Sequence, residues 1–258
     1  MVYLTTAFIV LAFFIAWFFV SVQQKNYGLV DIAWGLGMSI VGVFLILTYQ
    51  PDIQITLSIL LIVIWGARLG YYLFKRNWGK PEDFRYAQFR KNWGDRFPLL
   101  KAFFKVFVLQ GILSYIMMFS SMNAVANQTE VNFVLMIVGL IIAATGLFFE
   151  IVGDYQLAQF KKNPDNKGKI MDQGLWSITR HPNYFGEVVF WWGVFITSFQ
   201  GVHSFFGLVS PLLITYLINY LSGIPLLERK YLNRPEYLEY AKKTPRFIPW
   251  IGTKEMRK

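Results

Sequence analysis

Seven apolar runs, each close to the thickness of a lipid bilayer, divide this chain. They lie at about residues 4–22, 29–49, 53–74, 99–122, 131–153, 184–199 and 205–221. A helix rises 1.5 Å per residue, so about 20 apolar residues cross the hydrocarbon core, and the sixth run is slightly short of that. Hydrocarbon offers no water to backbone polar groups, so each run must satisfy its own N–H and C=O groups as a helix. The apolar residues come as continuous runs rather than amphipathic stripes. At 55% hydrophobic and 19% aromatic, with positive mean hydropathy, the chain stands outside the range of soluble domains. The sequence therefore predicts an all-α, polytopic membrane protein of about seven transmembrane helices. The first run has no basic region before it and no small-residue cleavage site after it, so it reads as a retained helix rather than a signal peptide.

Charge placement orients these helices. The chain carries 25 lysines and arginines and a net charge of +10. Of these, 22 fall in the break at 23–28, the polar loop 75–98, the polar segment 154–183 and the tail 225–258. If the seven helices alternate, all four lie on one side. The opposite breaks, 50–52, 123–130 and 200–204, hold no lysine or arginine. The positive-inside rule then places the N-terminus outside and the C-terminus in the cytoplasm. The basic surplus is a topological signal, with anionic headgroups or an anionic cofactor sharing it, and it does not call for nucleic acid. There is no cysteine and there are only two histidines, His181 and His203. That excludes disulfides, iron–sulfur clusters and thiolate chemistry, and no metal site is expected. No P-loop, HExxH or GxSxG motif occurs. Gly35-Leu36-Gly37 is a small-residue packing surface, because no strand precedes it as a dinucleotide fingerprint requires.

Chemistry concentrates in Gly174 to Glu187. Arg180, His181, Asn183, Tyr184 and Glu187 stand within eight positions and run straight into the apolar sixth segment. Polar groups are costly at the mouth of a lipid-embedded helix, so this density marks a functional site at the membrane boundary. Pro182 suits a first helical turn, and Asn183 and Glu187, four apart, share a face. Glu150 and Asp154 are likewise four apart at the end of the fifth run. Two acids there oppose the helix dipole and need compensation, for which Lys161, Lys169 and Arg180 are candidates. Asp31, early in the second run, is either a helix-start charge or a polar group inside the bundle. Arg68, two turns inside the third run, either snorkels or pairs with an anion. The loop from Arg76 to Tyr86 mixes cations and aromatics around Asn77, Gly79 and Lys80, which suits phosphate pairing and stacking as well as a solvated loop. The tail from Glu228 to Trp250 reads as an interfacial helix followed by an extended closing segment.

The stretch Gly174 to Glu187, with the tail Glu228 to Pro249, resembles the membrane-embedded steroid 5-alpha-reductase family, most closely its bacterial, DUF1295-type branch. The resemblance is good over residues 146–250 and looser before that, through Asp31 to Gly35 and Asn77 to Tyr86. It implies seven transmembrane helices, NADPH taken from the cytosol, and reduction of a C=C bond conjugated to a ketone in a steroid or other enone lipid. It further implies one transmembrane domain over 1–258, with 1–122 as substrate-side helices and 123–258 as the cofactor-binding half, in a bacterial inner membrane. Asp154 matches the family aspartate that helps bind NADPH. Lys161 and Lys169 stand where the family has arginines, keeping the charge without the bidentate fork, which bears on NADPH over NADH preference. Asn183, Gly186 and Glu187 match the family Asn-x-x-Gly-Glu segment, while Asn77, Gly79 and Lys80 match its Asn-x-Gly-basic loop. Tyr231 matches a family tyrosine, and Leu227 replaces a family histidine. The resemblance implies a nicotinamide near Asn183 and Glu187, with Arg180, Lys161 and Lys169 on its phosphates and His181 and Tyr184 alongside. Glu187 is then essential for turnover. The glutamate and tyrosine that polarise the ketone in the human-type enzymes have no clear match, and Asp31, Tyr72 and Tyr115 are the candidates.

A second resemblance runs through Arg180-His181-Pro182-Asn183-Tyr184-Phe185-Gly186, which is similar to a segment of the isoprenylcysteine carboxyl methyltransferases. It implies S-adenosylmethionine in place of NADPH. The third class is a membrane scaffold in which the buried acids only pair with Arg68 and its neighbours.

Overall fold

The computed structural model describes residues 1–94 and 96–252. All regular structure among the described residues is helical. Of the tail read from the sequence, residues 253–258 lie outside the described residues. The chain forms two compact units, Met1–Phe133 with Thr197–Ser210 and Val134–Ile196 with Pro211–Lys258.

The first unit contains α1 (Val2–Gln23), α2 (Val30–Tyr49), α3 (Ile53–Asn77), α4 (Phe84–Trp93), α5 (Pro98–Met117) and α6 (Phe119–Ala126). Asp52 caps α3 by accepting from the Ile55 N–H at 3.0 Å, and Lys75 and Arg76 complement the dipole in its last turn. α2 and α3 touch backbone to backbone. A Cβ added at Gly66 would lie 2.3 Å from the Gly35 carbonyl, and Ser39 Oγ donates to the Val63 carbonyl at 3.0 Å. Of the packing surface read from Gly35 and Gly37, Gly35 meets α3, while Gly37 faces Phe13 and Phe14 of α1. Leu29, Ile32 and Leu73 form a buried cluster with Trp17, Leu36, Leu69 and Tyr72 around it. Away from it, the fully buried Gln54 amide donates to the Thr197 and Phe199 carbonyls, both at 2.9 Å.

Two expectations change here. The loop 75–98 holds a ten-residue helix, α4, started by Asp83, whose carboxylate accepts from the Arg85 N–H at 2.9 Å. The fourth run, read as one helix over 99–122, is broken after Met117. Ser210 Oγ accepts from the Ser120 N–H at 3.0 Å and donates to the Ile116 carbonyl at 3.2 Å, so a side chain replaces the helical ladder at that point.

The second unit contains α7 (Phe133–Lys162), α8 (Leu175–Ile178), α9 (Pro182–Thr197), α10 (Val202–Tyr231) and α11 (Pro235–Lys243), taken from Val134 in α7, to Ile196 in α9 and from Pro211 in α10. α7 does not stop near residue 153. Polar residues alone do not end a helix, and nothing breaks this one before Asn163-Pro164. Asp154 and Lys161 therefore sit two turns apart on one helix. α10 also outruns its expected span, 205–221, with a π-helical turn at Leu217–Leu221.

Among the described residues, six helical segments are long and apolar enough to cross a bilayer: α1, Tyr27–Tyr49, α3, α5, α7 and α10. α9 has 16 residues, about 24 Å of rise, which is less than the ~30 Å core. The protein is an integral membrane protein.

Candidate functional site

The second unit brings the Arg180 to Glu187 segment into a defined setting. α7 and α9 meet through glycines: a Cβ on Gly146 would lie 2.3 Å from the Phe190 nitrogen, and one on Gly186 would lie 2.4 Å from the Glu150 nitrogen. Only hydrogens at these positions allow so close an approach. It draws Asn183, at the start of α9, against Asp154 on α7, and Asn183 Nδ2 donates to Asp154 Oδ1 at 3.0 Å. Glu150, one turn before Asp154, is buried, and Glu187 is half-buried one turn after Asn183.

The C-terminal tail closes on the same segment. The Arg180 N–H donates to the Pro245 carbonyl at 2.9 Å, Thr179 Oγ1 to the Phe247 carbonyl at 2.7 Å, and the Trp250 N–H to the Ile178 carbonyl at 3.0 Å. Tyr240 on α11 donates to the Trp176 carbonyl, and the Phe185 and Phe247 rings meet edge to face at 5.8 Å. The expected interfacial helix and closing segment both exist, and they are fastened to the segment that carries the chemistry.

Fastening the tail places a carboxylate where the sequence reading had none. Glu228 Oε1 lies 3.2 Å from Arg180 Nε and 3.2 Å from His181 Nε2, and Oε2 lies 3.7 Å from Arg246 Nε. Arg246 Nη2 donates to the Asn219 carbonyl at 2.8 Å, inside the π-helical turn of α10. The Arg180 side chain is 0% exposed and that of Glu228 7%. Arg180 Nε is too far off axis to hydrogen-bond Glu228, and neither Nη1 nor Nη2 of Arg180 has a hydrogen-bond partner among the described residues. Leaving buried donors of a charged group unmade costs more than the ~1–3 kcal/mol of a neutral one. Burial lowers the His181 pKa below its usual value, partly countered by Glu228, so the ring is neutral at pH 7. Burial likewise raises the phenols of Tyr237 and Tyr240, which stay protonated. Tyr184 stacks on the His181 ring at 5.9 Å, and Tyr231 stacks on Tyr237 at 4.7 Å. Lys161 and Lys169 are exposed.

In the first unit, Asp31 accepts from Arg85 Nη2 at 2.9 Å and from the Tyr86 hydroxyl at 2.6 Å. Burial alone would lower the Arg85 pKa, but the Asp31 carboxylate raises it beyond its ordinary value; burial and Asp31 both raise that of Tyr86. Beside them Glu82 accepts from Arg90 Nη2 on both oxygens, at 2.9 and 3.0 Å, and from the Tyr27 N–H at 2.7 Å. Asp31 is thus more than a helix-start charge. The other candidates of this unit keep separate partners. Arg76 lies over the Tyr72 ring at 5.6 Å, and Tyr115 donates to the Tyr3 carbonyl at 3.2 Å. Asn77 ends α3 and accepts from Arg76 Nε at 3.1 Å, while the exposed Lys80 follows the positive-φ turn at Gly79.

Sequence reasoning missed Glu228 and Arg246 as partners of Arg180 and His181, and Arg85 and Tyr86 as partners of Asp31. A glutamate in a tail otherwise rich in basic and aromatic residues was the available signal for Glu228. Among the described residues, no three His, Cys, Asp or Glu side chains group closely enough to hold a metal.

The chain is 32% identical over 72 residues to the steroid 5-alpha-reductase DET2 of Arabidopsis thaliana, covering 27% of each protein. It is 36% identical over 69 residues to DET2 of Gossypium hirsutum, covering 26% of this chain and 27% of that one. It is also 45% identical over 60 residues to the probable O-methyltransferase ustE of Ustilaginoidea virens, covering 23% of this chain and 21% of that one. These matches span only about a quarter of the length of the curated relatives. No solved structure gives a significant match. Residues 17–244, nearly the whole described chain, match the family described as protein of unknown function (DUF1295), and the chain belongs to that family.

Proposed function

We propose that this protein is a membrane-embedded reductase that transfers hydride from NADPH to the C=C bond of a lipophilic enone. The observation that carries the reading is Arg180: a fully buried guanidinium whose Nη donors have no acceptor among the described residues. A planar donor fork of this kind suits a phosphate oxyanion, and it stands one residue from the neutral His181 and three from the Asn183–Asp154 pair. The donor set therefore fits a dinucleotide, with Arg180, Lys161 and Lys169 for the phosphates and Asn183, Asp154, Glu187, His181, Tyr184 and Tyr231 for its neutral parts. NADPH, when bound, supplies the hydride. The residues of the chain orient it, and one protein hydroxyl or acid stabilises the developing enolate oxygen. The similarity to proteins named steroid 5-alpha-reductase supports a sterol-like enone as substrate.

The likeness to a probable O-methyltransferase favours a second reading, since an arginine fork also suits the carboxylate of S-adenosylmethionine. Turnover of a steroid enone by purified protein tests the first. Oxidation of NADPH that depends on the enone, abolished in Glu187→Gln, is the expected result. An active Glu187→Gln enzyme, or methyl transfer in place of NADPH oxidation, overturns it.

A further inference from the structure

His181 and Arg180 share one carboxylate oxygen, and the chemistry of that oxygen decides what the pair can offer a ligand. A carboxylate only accepts, so the ring nitrogen facing Glu228 Oε1, Nε2 at 3.2 Å, must carry the proton of the imidazole. Nδ1 is then the acceptor. The charged groups around the ring are Arg180 beside it, Glu228 on α10 and Arg246 on the C-terminal segment. The Tyr237 phenol, on α11, lies near Glu228, and Tyr184 covers one face of the ring. Two guanidiniums already face one carboxylate, so a second proton on His181 would add a third cation to a buried site.

We propose that Glu228 is a positioning residue: it locks His181 in the Nε2–H tautomer, so that the site pairs one acceptor, His181 Nδ1, with the spare donors of Arg180. A group complementary to this pair carries a donor and an acceptor together. A ribose hydroxyl with its neighbouring phosphate does so in a dinucleotide, and so do the ammonium and carboxylate of an amino acid. This step rests on the cofactor reading above only for its ligand; the tautomer is a property of the protein alone.

The chain has two histidines, which makes the test direct. Full-length protein labelled with 15N-histidine in detergent micelles gives two ring spin systems, assigned with His203→Gln. The His181 ring is expected to show a protonated Nε2, an unprotonated Nδ1 and no titration from pH 6.5 to 8. An Nδ1–H ring, or a cationic one in that range, overturns the proposal without any variant. Glu228→Gln, whose amide both donates and accepts, is expected to give mixed tautomers and to raise the cofactor Kd roughly tenfold. His181→Gln should raise that Kd by a similar factor, and the double variant should lose no more than either alone; additive losses contradict a shared role. The ligand arm compares NADPH with S-adenosylmethionine, and a shift of the Nδ1 signal with one of them names the ribose–phosphate or the amino-acid group. If neither binds while the tautomer is as expected, the positioning role stands and the cofactor reading falls.

Discussion

Each unit holds a cluster of arginine, carboxylate and aromatic side chains, and the two clusters spend their hydrogen bonds differently. In the first unit Asp31 and Glu82 receive donors on all four carboxylate oxygens, and the Asp31 and Arg85 side chains are 20% and 32% exposed. In the second unit one carboxylate, Glu228, faces Arg180, His181 and Arg246, and the Arg180 side chain is 0% exposed. A balanced, half-solvated network holds helices and loops together. A buried network with more donors than acceptors carries an electrostatic cost, and the cofactor proposed above would supply the missing acceptor.

The comparison breaks most visibly at its hubs. Glu228→Ala leaves two guanidiniums without their carboxylate and should cost about 3–5 kcal/mol, read as thermal unfolding in detergent. Asp31→Ala, in its more exposed setting, should cost only about 1 kcal/mol and leave cofactor binding unchanged. Equal losses would remove the distinction between the two clusters. Gly186→Val should cost about 3 kcal/mol, because its Cβ would lie 2.4 Å from the Glu150 backbone; a variant as stable as the parent would mean that α7 and α9 separate easily.

Smaller effects sharpen the contrast. Burial holds the His181 pKa below its unfolded value of about 6.5, so the unfolded chain takes up that proton first. Stability from this group should therefore be full above pH 7 and fall as pH drops below 6.5 toward the folded pKa. His181→Gln should flatten that part of a stability profile between pH 5 and 8, whereas Asp31→Asn should leave it in place. The smallest effect on stability, within about 0.5 kcal/mol, is expected for Lys169→Ala on the exposed connection after α7. If Lys169 meets a phosphate, the same variant loses affinity for NADPH more than for NADH, measured side by side by calorimetry.

The helices were legible because run length alone specifies a membrane helix. What escaped was set by contacts remote in sequence. The break after Met117 depends on the hydroxyl of Ser210, 90 residues from Ser120, and no local breaker announces it. Within the site, Asn183 with Glu187 and Glu150 with Asp154 were legible as neighbours on one helix each, while the contact between Asn183 and Asp154 across the two helices was not. Glu228 lies 47 residues from His181 in a tail that reads as an interfacial anchor, and backbone pairing such as that of Arg180 with Pro245 brings that tail alongside. The compensation expected for Glu150 and Asp154 from Arg180 went elsewhere, because Arg180 is held by Glu228. The partners of Asp31, 54 and 55 residues away, sit on α4, which was hidden in a loop by its high charge.

The central claim is that the buried donors of Arg180 exist for a nucleotide cofactor. Thermal unfolding of the purified protein with NADPH, NADH and S-adenosylmethionine, repeated on Arg180→Gln, tests it most directly. A ligand at a hundred times its Kd adds about 2.7 kcal/mol to the folded state, well within reach of the method. The account predicts that NADPH stabilises the parent most and that Arg180→Gln folds but loses that gain. Stabilisation by S-adenosylmethionine alone, or an NADPH response that survives in Arg180→Gln, would contradict it.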